Sequence, residues 1–292
     1  MIYLIFSILS SAAIFILFKA FGQRRIDTFQ AIVVNYFVAF ACGFILEPIP
    51  MDTLEHSTGT WLPWAIFLGS MFILMFNLIA ITTQRISVSV ATISTKMSIV
   101  IPIVAAVFLY NDSMPVLKVL GIILALAGVV LASWTGERMR KTSLLFFLPI
   151  ILFFGTGSVD MLLKYVQHNH LGNESPVQFS TMLFGTAAVI GAMILGARNF
   201  LKKKGMDKRS IIAGLVLGLP NFGSIYFLMK ALAIPNMQSS EIFPINNMGI
   251  VLASALAAVI FFGEKGKTIN RIGVAVSVVA IALIAFHSKI LP

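Results

Sequence analysis

Apolar positions along the chain gather into ten long runs. A helix that crosses a bilayer needs about 20 mostly apolar residues. Runs of that order cover Ile2 to Ala20, Phe29 to Leu46, Trp61 to Ile81, Ser87 to Leu109, Val116 to Trp134, Leu144 to Tyr165, Val177 to Ala197, Ser210 to Leu232, Gln238 to Phe262 and Ile272 to Phe286. Lipid offers no water to backbone N–H and C=O groups, so stretches of this length must close their own hydrogen bonds as helices. The pattern predicts an all-α integral membrane protein with ten transmembrane helices. The first run lacks the basic start and small-residue cleavage site of a signal peptide, and nine more follow it, so it counts as the first span.

Composition agrees: 59% of the 292 residues are hydrophobic and 11% charged, against about half and about a quarter in an average soluble domain. A net charge of +10 could suggest nucleic acid, but the basic residues are sorted by side of the membrane and not gathered on one domain. Of 21 Lys and Arg, sixteen lie in connections after odd-numbered spans and four, Lys118, Lys164, Lys230 and Lys289, on the other side. That other side also carries Glu47, Asp52, Glu55, Asp112 and Glu174. By the positive-inside rule the odd connections face the cytoplasm, with both termini outside. The remaining cation, Lys96, is in neither set. Cys42, the single cysteine, excludes an internal disulfide and is expected to act as a small hydrophobe. His56, His168, His170 and His287 fall in loops or at span ends, which argues against a mid-membrane proton relay or metal site.

The second half echoes the first at an offset of 145 to 152 residues. SSAAIFILFKAFGQ from Ser10 matches GTGSVDMLLKYVQH from Gly155, placing Lys19 on Lys164, and Gln30 then falls on Gln178. GIILALAGVVLA from Gly121 matches GVAVSVVAIALI from Gly273. Gly121, Ala125, Gly128 and Ala132, like Gly273, Ser277 and Ala280, recur every three or four residues, so each set lines one face and predicts a close helix seam. Each half holds five spans, an odd number, so the expected architecture is two inverted five-helix repeats, 1–134 and 144–292, joined by a basic linker at 135–143. Inverted repeats build secondary transporters, with the substrate near the midplane between halves.

The halves end FLYNDSMPVLKVLGIILALAGVVLA and IFFGEKGKTINRIGVAVSVVAIALIA. In this, and in its ten spans, the chain resembles EamA-type members of the drug/metabolite transporter superfamily, whose halves end in a short polar turn, often Gly-Glu, and a glycine-bearing helix. Gly263 and Glu264 match that turn, while Asn111 and Asp112 depart from it. The resemblance implies a cofactor-free transporter of the bacterial cytoplasmic membrane. Its cavity would be lined chiefly by the first, third, fourth, sixth, eighth and ninth helices. It also implies cytoplasmic termini, the reverse of what the charge count predicts.

No GxxxxGK[ST] phosphate loop, GxSxG elbow, HExxH pair or CxxC set is present, which leaves an enzyme or an ATP-driven pump without a motif. Ionisable residues within spans are the functional candidates. Lys96 lies about 13 Å inside the fourth span at 1.5 Å per residue, beyond the reach of snorkelling. Arg85, Ser89, Thr92 and Lys96 share one face, predicting a polar half-channel wall that opens to the cytoplasm and ends at the lysine. Pro102 cannot donate to the Ser98 carbonyl, which predicts a bend with a free acceptor. The alternative role for Lys96 is a helix lock with a carboxylate.

Glu241 is expected about 6 Å inside the ninth span, beside a carbonyl freed by Pro244. It is either cavity lining or an interfacial carboxylate at a helix start. Asp160 and Lys164, at i and i+4, suggest an ion pair or a gate. Helix rise puts Asp160 and Glu241 about 10 Å from Lys96 in depth. Asn77, Asn246, Asn247 and, beside Pro220, Tyr226 complete the polar candidates.

The leading expectation is a secondary exporter of a small anionic or zwitterionic metabolite, with Lys96 on its carboxylate or phosphate. Thr92, Asn77, Tyr226, Asn246 and Asn247 would surround the substrate, and Glu241 or Asp160 would carry protons. The competing one is a flippase for a phospho-headgroup lipid carrier, meeting the phosphate at Lys96. Partners are a small molecule and membrane lipids, with no nucleic acid; a monomer and a homodimer both remain open.

Overall fold

The computed structural model describes residues 2–49, 61–110, 115–133, 145, 147–170, 175–203, 205–232, 239–264 and 267–290. The linker 135–143 lies outside them, as do Asn111, Asp112 and His56 and the side chains of Glu241 and Pro244. The regular elements among the described residues are helices: α1 Ile2–Gln23, α2 Thr28–Leu46, α3 Leu62–Arg85, α4 Val88–Met97, α5 Val100–Tyr110, α6 Val116–Ser133, α7 Leu148–Asn169, α8 Pro176–Lys202, α9 Lys208–Leu232, α10 Ser239–Phe262 and α11 Thr268–Ile290. Eight helical stretches are long and apolar enough to cross a membrane, among them Val88–Ala105, which runs through α4 and α5. Two shorter apolar helices, Val116–Ala132 and Thr268–Ile284, accompany them. Large apolar side chains such as Ile45, Phe108 and Phe200 stand on the outside, as a lipid solvent requires.

Four apolar clusters hold the bundle among the described residues, the smallest of them Leu4, Ala231 and Ile242. One centres on Phe18, Tyr36, Ala187 and Leu217, where α1, α2, α8 and α9 meet. A second, with Met97, Ala125, Val251 and Ile281, joins α4 and α6 to α10 and α11. The third sits at the start of α3 around Trp61, Leu68, Phe179 and Leu183.

The most extensive helix pairing is α6 on α11, along the two small-residue faces. A Cβ added at Gly128 would collide with Ser277, and one at Gly273 with the backbone of Ala132. These helices are in backbone contact because the seam lacks side chains to hold them apart.

The fourth span is broken in the middle. Thr92 donates its hydroxyl to the Val88 carbonyl at 2.9 Å, Thr95 to Ala91 and Thr92 at 3.0 Å, and Ser98 to Thr95 at 2.5 Å. Side chains that bond back to the preceding turn bend a helix. Pro102 then removes the next donor. Ile101 N–H bonds the Ser98 carbonyl at 2.9 Å, one residue tighter than an α-helical bond, so α4 stops at Met97 with Ser98 as its C-cap. The expected free acceptor at Ser98 is therefore taken, and the break lies upstream of the proline.

Candidate functional site

Lys96 occupies the last turn of α4 and is half-buried. Its position follows from the break: Gly157 of α7 sits against the Ser98 carbonyl and Ile101, with no room for a Cβ. That contact brings the α7 face carrying Gly157 and, one turn on, Asp160 beside the end of α4. The Lys96 ammonium and the Asp160 carboxylate feel each other's charge across this gap but form no direct ion pair. Asp160 itself is exposed. Two opposite charges, one from each half of the chain, are thus neighbours at the break in the fourth span.

The other candidates are scattered around this pair. Thr92 is fully buried and its hydroxyl is already bonded, so the stripe from Arg85 to Lys96 does not form an open half-channel in this conformation. Asp160 and Lys164 form no ion pair, and Lys164 is exposed. Asn77, half-buried on α3, donates to the Ile73 carbonyl at 2.7 Å. Asn246, on α10 next to α4, is buried with its Oδ1 unpartnered, while Asn247 is half-buried. Tyr226 stacks on Phe222 at 5.4 Å, with Lys230 Nζ 5.5 Å from its ring centre, on α9, which packs chiefly on α1 and α2. Helix α9 runs through Pro220 unbroken. No hydrogen bond among the described residues ties Asn77, Tyr226 or Asn246 to Lys96.

Sequence reasoning missed two features. Ser94, two residues before Lys96, is buried with an unpartnered hydroxyl, a group that costs about 1–3 kcal/mol unless water or ligand satisfies it. The second is at the far end of α4. Glu264 Oε1 pairs with Lys19 Nζ of α1 at 2.8 Å. Both Glu264 carboxylate oxygens also accept from Val88 N–H, the first residue of α4, at 3.3 Å.

Residues 1–134 match the EamA-like transporter family. The match is to the first half of the chain, and the eight helical stretches long and apolar enough to cross a membrane agree with a multi-pass membrane protein similar to that family. An uncharacterized protein of Haemophilus influenzae is 26% identical over 298 residues, covering 99% of each chain. A crystal structure of a protein 13% identical superposes with a TM-score of 0.62 over 99% of this chain and 97% of that one, which shows the shared fold.

The Gly-Glu turn has a definite structural role. Gly263 sits at φ +60, the left-handed conformation that ends helices and that side chains resist. Its N–H bonds the Val259 carbonyl, and the Glu264 N–H bonds that of Ala258, both at 3.1 Å. The turn thereby stops α10 and aims the Glu264 carboxylate at α1 and α4. The sequence showed the turn but not its long-range target.

Proposed function

We propose that this protein exports a small anionic or zwitterionic metabolite, such as an amino acid, across the bacterial cytoplasmic membrane. It works by alternating access of two inverted five-helix repeats, residues 1–134 and 144–292. The observation that supports the substrate class is the neighbouring of half-buried Lys96 and exposed Asp160, one from each half, without a direct ion pair. A carboxylate of the substrate bonds the Lys96 ammonium; an α-ammonium group meets Asp160. A cationic drug finds the lysine in its way, and a neutral sugar leaves both charges unmatched. Asp160, the exposed carboxylate beside Lys96, exchanges the proton that couples export to the proton gradient. Asn77 and the orphaned Asn246 amide on the helices next to α4 add hydrogen bonds to the bound molecule.

The test is counterflow of radiolabelled amino acids in proteoliposomes, beside thermal-shift screening against amino acids, sugars, nucleotides and polyprenyl phosphates. Loss of a charge-assisted bond worth about 1.5–3 kcal/mol makes Lys96→Met roughly ten to a hundred times slower. Asp160→Asn still exchanges substrate but no longer responds to an imposed proton gradient. Parental transport by Lys96→Met eliminates this reading, and a stabilising hit confined to polyprenyl phosphates replaces it with a lipid carrier.

A further inference from the structure

We infer that Glu264 is a gating residue, which closes the transporter at the basic end of the bundle by tying the second half to the N-terminus of the helix that carries Lys96. This rests on the alternating-access reading for its purpose, though not for its geometry. Among the described residues, the ion pair and the hydrogen bonds of the Glu264 side chain cross from the second half of the chain to the first. It pairs with Lys19 on α1 and receives the Val88 N–H of α4. The ion pair is shielded, with each side chain 16% exposed, so water and salt screen it less than a surface pair. The carboxylate also sits at the positive end of the α4 dipole, where an anion is favoured.

Lys164, which matches Lys19 in the repeat, is exposed, and Asp112, at the position that matches Glu264, lies outside the described residues. Helix α4 is ten residues long, with the gate at its first residue and Lys96 in its last turn. Displacing α4 at Lys96 therefore moves the N–H that Glu264 holds.

The measurement is double electron–electron resonance in nanodiscs, on a Cys42→Ser background. Spin labels go on Gln23→Cys with Lys267→Cys, and on Arg85→Cys with Lys267→Cys, all exposed positions flanking the gate. Parent protein gives one short-distance population. Glu264→Gln and Lys19→Met each raise the ratio of long to short distances roughly tenfold, the change that about 1.4 kcal/mol produces. The double variant rises no further than either single, because both remove the same pair. Arg198→Met, which breaks the 2.6 Å ion pair to Asp27 at the same end without touching α4, leaves both distances as in the parent. Unchanged distances in folded Lys19→Met, additive effects in the double, or equal opening by Arg198→Met overturn the gate. No arm uses substrate, so failure here and failure of the substrate assignment are separable.

Discussion

Lys96 and Asp160 show how much a single residue's neighbours decide. Four-residue spacing offers Asp160 the cation at Lys164, yet the carboxylate faces Lys96, because Gly157 lets α7 approach the end of α4. Removing one charge of such a pair strands the other, whereas removing both does not. With Asp160 exposed and no direct ion pair formed, the effect is modest, about 1 kcal/mol at most. Asp160→Asn accordingly melts a few degrees lower than the parent, and the double variant with Lys96→Met recovers that loss. Lys164→Met leaves the melting temperature unchanged. Thermal unfolding of the four proteins in one detergent decides it; a double variant no more stable than Asp160→Asn contradicts the coupling.

At the scale of the element, the broken fourth span is the feature that positions the site. Its existence was legible from Pro102, because a missing donor must interrupt the ladder somewhere. Its place was not, because three hydroxyls bonding back along α4 and a tight Ile101-to-Ser98 bond act together. Nor could spacing reveal that Gly157 docks on the break, since that contact spans two distant segments. A methyl group at Gly157 meets the Ser98 carbonyl and Ile101, and overpacking of this kind costs about 1–3 kcal/mol. Gly157→Ala thus lowers the melting temperature and slows transport together. Gly196→Ala is the matched control. It lies within α8 with open space around the missing Cβ, and there alanine gains about 0.5–1 kcal/mol from helix propensity alone. Equal behaviour of the two variants, read by the same melting assay, removes Gly157 from its positioning role.

For the molecule as a whole, the local patterns carried far: long apolar runs gave the helices, and paired small-residue faces gave the α6–α11 seam. What stayed hidden were the long-range polar bonds, because they join residues on different helices and leave no period in the sequence. Several of these gather at one end. Arg198 pairs with Asp27 at 2.6 Å, the Gln30 side chain bonds Gly205 and Asp207, Gln84 reaches Phe18 and Thr28, and Glu264 holds Lys19. All are at or beside connections that follow odd-numbered spans, the side that carries sixteen of the Lys and Arg. Anionic lipid on the cytoplasmic leaflet attracts such a face at about 1 kcal/mol per basic residue near the surface. The charge sorting therefore predicts an outer C-terminus, so a C-terminal alkaline phosphatase fusion is expected to be active and a green fluorescent protein fusion dark. The reverse result turns the bundle over, so that the Glu264 gate closes the outer side. The distances between helices would stand, while the direction of transport inferred from them would not.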